Sequence, residues 1–308
     1  MRAAAARILG SPVVGAETQN GGFSPGSADR VVTVDGRRAF VKTAIAAHND
    51  ESARLHAREA EIVAALDPDL PVPAMIGRAG DSDWVVAVYE EIPGRHPLAP
   101  WRESDVKAVF DAFARIGAEP ASEDIRTLVP TTDESLASWI RLTGWPNVAD
   151  QTFAALPDEA WARSALEGPL GDYEAFAAEI RGDRLLHLDA RADNILIRDD
   201  GSAIIIDWPH AAVGAAWVDP LSLLVDVAYQ DPEADVRGLL GHRSLAGLSI
   251  ETTRRFFFQL AGHFLANSQN AAPLGIPGLR EFQRAEGLTC LWLVQLLGTA
   301  GGSAGEPR

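Results

Sequence analysis

Apolar runs over residues 31–34 and 38–43 predict two strands around Asp35-Gly36, read as a two-residue hairpin turn. That register sets Lys42 opposite Asp29. From 50 to 66 the period changes to that of a helix, with Asn49 or Asp50 as its cap. Leu55, Ile62, Val63 and Leu66 form its apolar stripe, and Glu59 lies on that same stripe. A carboxylate there, and Lys42 inside an apolar strand, each need a partner. A buried strand is predicted over 84–89, followed by a Pro93-Gly94 turn. Residues 101–181 read as helical, broken by Pro120, Pro130, Pro146 and Pro157, with His96, Trp101, Trp139, Trp145 and Trp161 read as packing residues. Short buried strands are expected at 195–197 and 203–206, and terminal helices at 251–267 and 279–297. Residues 1–20 read as a lead-in, and 301–308 as a disordered tail.

The chemistry concentrates in 186–208, LHLDARADNILIRDDGSAIIIDW. His187, Asp189 and Asn194 have the spacing H-x-D-x-x-x-x-N, and Asp207 ends the second apolar run. If Asp200-Gly201 is the turn, Asn194 and Asp207 face each other, roughly 5 Å apart at their side-chain roots. A three-residue bulged turn over Asp199-Asp200-Gly201 would shift that register by one. An oxygen-ligand pair of this kind suits Mg²⁺, which takes few protein groups and completes its shell with water and phosphate. Upstream, three glycines and a proline within 21–27 mark a tight loop whose backbone N–H groups can approach a phosphate.

These residues resemble the catalytic loop and metal-binding strand of the protein-kinase-like superfamily, and His187-Leu188-Asp189 with Asp207-Trp208 is similar to its aminoglycoside phosphotransferase branch. The likeness extends from about Gly21 to about Leu224. It implies an α+β, bilobal fold: a small N-terminal antiparallel sheet lobe with one helix (1–93), which binds nucleotide, and a larger, mainly helical lobe (94–308) for catalysis and substrate. It implies that Asp189 is the catalytic base and that Asn194 and Asp207 are Mg²⁺ ligands. Lys42 with Glu59 would orient the ATP phosphates under a cover of Gly22, Phe23, Ser24 and Gly26. Backbone groups about Glu91 and Ile92 would meet the base. Arg191 is either a second catalytic group on the transferring phosphoryl or one arm of a bridge to Asp193 or Asp183. Asp219 reads as a helix cap with Pro220 at the first helical position. Asp226, Asp231, Glu233 and Asp235 read as a solvated acidic cluster or, in a sharper reading, as an ammonium-binding rim for a polycationic substrate.

Composition narrows the partners. The formal charge of −16 repels nucleic acid and anionic lipid and attracts cationic small molecules, so neither nucleic acid nor membrane is an expected partner. Cys290 is the only cysteine, which excludes an internal disulfide and fits a reducing, cytoplasmic setting; no signal peptide or membrane span is read. Only eleven residues separate Asp207 from Asp219, too few for a protein-substrate platform. The expected activity is transfer of the ATP γ-phosphate to a hydroxyl of a small, cationic, aminoglycoside-like acceptor by a monomer or weak dimer. The alternatives are a metabolic kinase of an amino sugar or amino alcohol, and a non-catalytic nucleotide-binding module.

Overall fold

The computed structural model describes residues 1–19, 26–273 and 276–299. The first part is α1 (Arg2–Leu9), β1 (Val13–Thr18), β2 (Ser27–Thr33), β3 (Arg38–Ile45), α2 (Asp50–Ala65), β4 (Met75–Gly80) and β5 (Trp84–Glu90). Its five strands form one antiparallel sheet in the order β1-β2-β3-β5-β4. Strand alternation divides the residues between its faces. Ala39, Val41, Val86 and Val88 pack under Ala4, Ala5 and Leu9 of α1. Ala87 and Tyr89 pack with Ala60, Ile62 and Val63 of α2. Lys42 pairs with Ala87 across β3 and β5, so the same alternation turns it toward α2.

This part holds two helices, not the single one expected. The lead-in over 1–20 is in fact α1 and β1, although four alanines in RAAAARIL are strong helix formers and Gly10 closes the helix at φ 68°. Both predicted hairpins close differently. Ala28, not Asp29, lies opposite Lys42, because Val34, Asp35 and Gly36 form a three-residue loop. The Thr33 N–H donates to Arg37 O, and Gly36 adopts φ 82°. Around Gly201, also at φ 82°, the Arg198 N–H donates to Ser202 O, which gives the bulged alternative.

Past β5 the chain is mainly helical: α3 (Glu103–Ile116), α4 (Glu123–Leu128), α5 (Ser138–Thr143), α6 (Asp150–Ala154), α7 (Glu159–Glu167) and α8 (Tyr173–Glu179). Two small hairpins follow, β6 (Arg184–Leu186) with β9 (Ala212–Gly214), and β7 (Ile195–Ile197) with β8 (Ala203–Ile205). Then come α9 (Val218–Gln230), α10 (Val236–Leu239), α11 (Ile250–Asn267) and α12 (Leu279–Gly298). Trp145 stacks between Phe153 and Phe258 and donates to Phe258 O. Trp139 is not a core residue: it is 37% exposed and lines a cavity.

The linker after β5 does not hang free. Arg95 and Ile197 exchange backbone hydrogen bonds, and a Cβ on Gly94 would come within 2.8 Å of Ile197 O. The largest core cluster runs from Ala60 and Tyr89 to Phe110 and Ile205, so sheet and helices share one apolar interior. No helix among the described residues is long and apolar enough to cross a membrane.

Candidate active site

Lys42 is where the two parts of the chain meet chemically. Its Nζ donates to both Glu59 oxygens at 2.9 and 2.8 Å and to Asp207 Oδ1 at 2.8 Å. Burial alone would lower the affinity of this ammonium for its proton. Glu59 and then Asp207 more than reverse that, so the lysine stays charged. Asp207 feels the same contest: burial raises its pKa, Lys42 outweighs it, and the carboxyl ends below its usual range.

Asp207 lies one residue beyond the level of Asn194, whose carbonyl accepts from the Ile206 N–H at 2.9 Å. It is not the direct cross-strand partner of Asn194, because the bulged turn moves the register by one. The chain instead turns sharply at Asp207, which has φ 67°. Only Leu188 shares this left-handed backbone among described non-glycine residues, at φ 61°. Two strained residues within one loop system need a rigid surround, and buried polar groups supply it. Asp219 accepts from the His187 N–H at 2.6 Å and the Leu188 N–H at 2.8 Å. His187 donates from Nε2 to Ile206 O at 2.9 Å and accepts the Asp189 N–H on Nδ1 at 3.3 Å. Its ring meets Trp208 edge-on.

Two sequence expectations fail here. Asp219 is not a helix cap, since its carboxylate is spent on the loop before Asp189. Asp226 is not solvated: it is 5% exposed and its Oδ2 accepts from Trp101 Nε1, the Ala192 N–H and Gln230 Nε2. Asp219 and Asp226 lie seven residues, two helical turns, apart on α9 and so share its inward face. The spacing alone shows that the two share a face, not that the face is buried. Burial pushes both carboxyls upward against the pull of their donors. Asp231 and Asp235, by contrast, cap a turn and α10.

Asp189 and Asn194 are brought together. Asn194 Nδ2 donates to Asp189 Oδ2 at 2.8 Å and to Asp189 O at 3.0 Å, which leaves the amide oxygen of Asn194 for another partner. Arg191 places its fork on Asp193, at 3.1 and 2.6 Å, and Nη1 stands 3.6 Å from Asp189 Oδ1. Of the two readings of Arg191, the structure contains the bridge to Asp193. The side chain of Glu91 is bound to Arg38 at 2.7 and 2.8 Å and to Arg30 at 3.3 Å. It ties down β2 and β3. Ile92 packs with Leu196, Ile204 and Ile206 into an apolar wall. Gly22, Phe23 and Ser24 lie outside the described residues. Gly26 is described, and a Cβ there would come within 2.4 Å of His56 Nε2 and 3.0 Å of Thr43 O.

No spacing or motif singles out His56, Tyr89 or Glu286 in the sequence. His56 is buried with Nδ1 3.8 Å from Glu59 Oε2. The Tyr89 hydroxyl is buried without a hydrogen-bond partner among the described residues, and burial, Glu59 and Asp207 push its pKa up. Glu286 of α12 lines a cavity of about 560 Å³, together with Asp189, Asp193, Asp207 and Asp226.

The described residues hold no cluster of three or more His, Cys, Asp or Glu able to bind a metal. A lone aspartate with a neighbouring amide oxygen is the sparse kind of donor set that suits Mg²⁺, which completes its shell with water and phosphate.

A family model described as a phosphotransferase enzyme family matches residues 22–256. No curated protein sequence matches the chain. Among solved structures, the chain is similar to a thermostable mutant of aminoglycoside phosphotransferase APH(4)-Ia in ternary complex with AMP-PNP and hygromycin B (17% identity, 98% of this chain and 99% of that one, TM-score 0.60). It is also similar to the apoenzyme of macrolide 2'-phosphotransferase MphH from Brachybacterium faecium (19% identity, 92% and 96% covered, TM-score 0.59). A third similar structure is spectinomycin phosphotransferase APH(9)-Ia in complex with ADP and spectinomycin (12% identity, 94% and 94% covered, TM-score 0.56). These likenesses extend the bilobal kinase-like architecture over nearly the whole chain, and the family match spans the lysine, the catalytic-type loop and Asp207: the chain belongs to the phosphotransferase enzyme family.

Proposed function

We propose that this small-molecule phosphotransferase moves the γ-phosphate of ATP to a hydroxyl of a cationic acceptor. The observation that carries the reading is the single cluster in which Lys42 is shared between Glu59 and Asp207, while Asp189 stands bound to Asn194 on a loop fixed by Asp219. Phosphoryl transfer depends on positioning and charge neutralisation more than on covalent chemistry. Lys42 holds phosphate oxygens, and Glu59 keeps it extended toward them. Asp207 and the Asn194 amide oxygen would hold Mg²⁺, which would supply charge neutralisation at the phosphates. Asp189, 28% exposed at its side chain, orients the acceptor hydroxyl and takes its proton. The wall of Ile92, Leu196 and Ile204 supports the base beside the backbone of residues 90–92. The division into nucleotide lobe and acceptor lobe falls at Pro93-Gly94. Arg191 acts as a positioning residue, since its fork is committed to Asp193.

A partly exposed carboxylate at Asp189 favours catalysis over a nucleotide-binding module, because no backbone donor among the described residues requires it there. The test is ADP release with a panel of acceptors. Asp189→Asn is expected to keep nucleotide affinity within about twofold and to lower kcat by at least about a hundredfold. Turnover at the parental rate would remove Asp189 from the reaction.

A further inference from the structure

The acceptor cavity carries a feature that the phosphotransferase chemistry does not use. Leu279, Phe282, Gln283 and Glu286 recur at three- and four-residue spacing and put one face of α12 onto the cavity. Glu286 is 7% exposed, and no hydrogen bond or ion pair joins its side chain to another of the described residues. It differs in this from Asp219 and Asp226, buried carboxylates that are saturated with donors. A buried carboxyl with no donor costs free energy that a leucine at the same position would not.

Resting on the kinase reading above, we infer that the acceptor is an amphiphilic amino alcohol, an apolar body with one amine close to the hydroxyl that is phosphorylated, and that Glu286 binds this amine. The charge distribution of the cavity supports one amine rather than many. Asp189, Asp193 and Asp226 lie close enough to Glu286 to raise its pKa, on top of a larger effect of burial. The only Lys or Arg on the lining is Arg191, which opposes that rise and has its fork on Asp193. His263 also lines the cavity, but burial holds it down at about 4, so it adds no positive charge near neutrality. Asp207 is engaged by Lys42, and Glu51 sits at the exposed start of α2.

The remaining wall is largely hydrocarbon: Leu136, Trp139, Leu260, Phe264, Leu279 and Phe282. A cavity of about 560 Å³ lies within the range that encloses drug-sized ligands. A polycation with amines on every ring would press several charges against that wall without partners, which is costly. A molecule with one amine beside its reactive hydroxyl places the charge among Asp189, Asp226 and Glu286 and its body against the aromatics.

The experiment uses the full chain with ATP and Mg²⁺ and four probes: erythromycin, propranolol, hygromycin B and spectinomycin. Expected is a kcat/KM for erythromycin or propranolol at least about tenfold above either hydrophilic aminocyclitol drug. Glu286→Gln is expected to raise KM for the preferred amine by at least about tenfold, leave kcat within about twofold and leave the KM for ATP unchanged. For N-acetylated propranolol, a neutral amide, the same substitution should change nothing. Glu286→Asp keeps a carboxyl that can ionise against the amine and should recover part of the affinity, which also guards against a Gln variant that fails to fold.

Preference for hygromycin B or spectinomycin overturns the inferred acceptor class while leaving the kinase reading intact. So does turnover of none of the four probes by a protein that binds ATP. A Glu286→Gln protein with lower stability and unchanged KM overturns the role of Glu286. Failure to bind ATP at all removes the kinase reading, and this inference with it.

Discussion

At the scale of single residues, Glu286 gives the sharpest consequence for stability. Burial, with Asp189, Asp226 and Asp193 adding to it and Arg191 opposing, pushes its carboxyl up to about 8 from an ordinary 4.5. The folded protein therefore holds a proton between those two values that the unfolded chain releases. Stability falls as pH rises through this window, because the folded state binds more protons than the unfolded one. Glu286→Gln cannot ionise and escapes the penalty. Its Tm is expected to exceed the parent's by about 2 °C or more at pH 8.5, with the gap closing toward pH 5. Differential scanning at both pH values checks this, and a pH-independent gap would show that Glu286 does not titrate in the window.

The elements of the site show how one helix disciplines a loop. From the start of α9, Asp219 fixes the His187 and Leu188 amides, and Asp226, two turns later, fixes the Ala192 amide. The loop between them carries Leu188 at φ 61°, a conformation that a leucine adopts only when its surroundings impose it. Asp219→Ala leaves two buried N–H groups without an acceptor. The expected loss is about 2–4 kcal/mol of stability, at 1–3 kcal/mol per orphaned group with partial relaxation. kcat should fall more steeply than the KM for ATP rises, because Asp189 is displaced while Lys42 is not. Urea denaturation and steady-state kinetics on one preparation check both parts. A destabilised protein with parental kcat would show that the loop holds its shape without α9.

Across the whole molecule, the Lys42 ammonium joins the sheet to α2 through Glu59 and to the second half of the chain through Asp207. Its side chain is 12% exposed and that of Glu59 4%, so solvent screens this pair weakly. Lys42→Met would leave Glu59 buried without a cation. Removing one member of a buried pair costs about 3–5 kcal/mol; the 38% exposure of the Asp207 side chain lowers the part owed to the second contact. The variant is expected to be less stable by about 3 kcal/mol and to lose most of its affinity for ATP. Calorimetric unfolding together with nucleotide titration checks this. Chelation of divalent cations should do the opposite, abolishing turnover with little change in the Tm of the nucleotide-free protein, since the metal's protein ligands are few. A large loss of Tm on adding EDTA would reveal a structural metal instead.

The chemistry of the site was legible in the sequence where it depends on local spacing. The H-x-D-x-x-x-x-N run, the apolar strands on either side of the Asp-Gly turn, and Glu59 on the buried stripe of α2 are all properties of neighbours along the chain. Period and turn preference act over a few residues, so a single sequence contains them. The pairing of Lys42 with Glu59 was also readable, because each breaks an apolar pattern and neither has a local partner. The hairpin registers were not, since a two-residue and a three-residue loop around Asp-Gly differ by little locally, and packing on both sheet faces decides between them. Nor was the third contact of Lys42: Asp207 lies 165 residues away, and only the closure of the fold brings it within 2.8 Å. The same holds for Asp226 and Glu286. In sequence each is one more acid in a chain of charge −16. Folding puts one under three donors and leaves the other in a cavity with none among the described residues. Burial and the supply of donors are properties of surrounding chain segments far apart in sequence, and these set the cost of a buried carboxylate and so separate a structural acid from one that awaits a ligand.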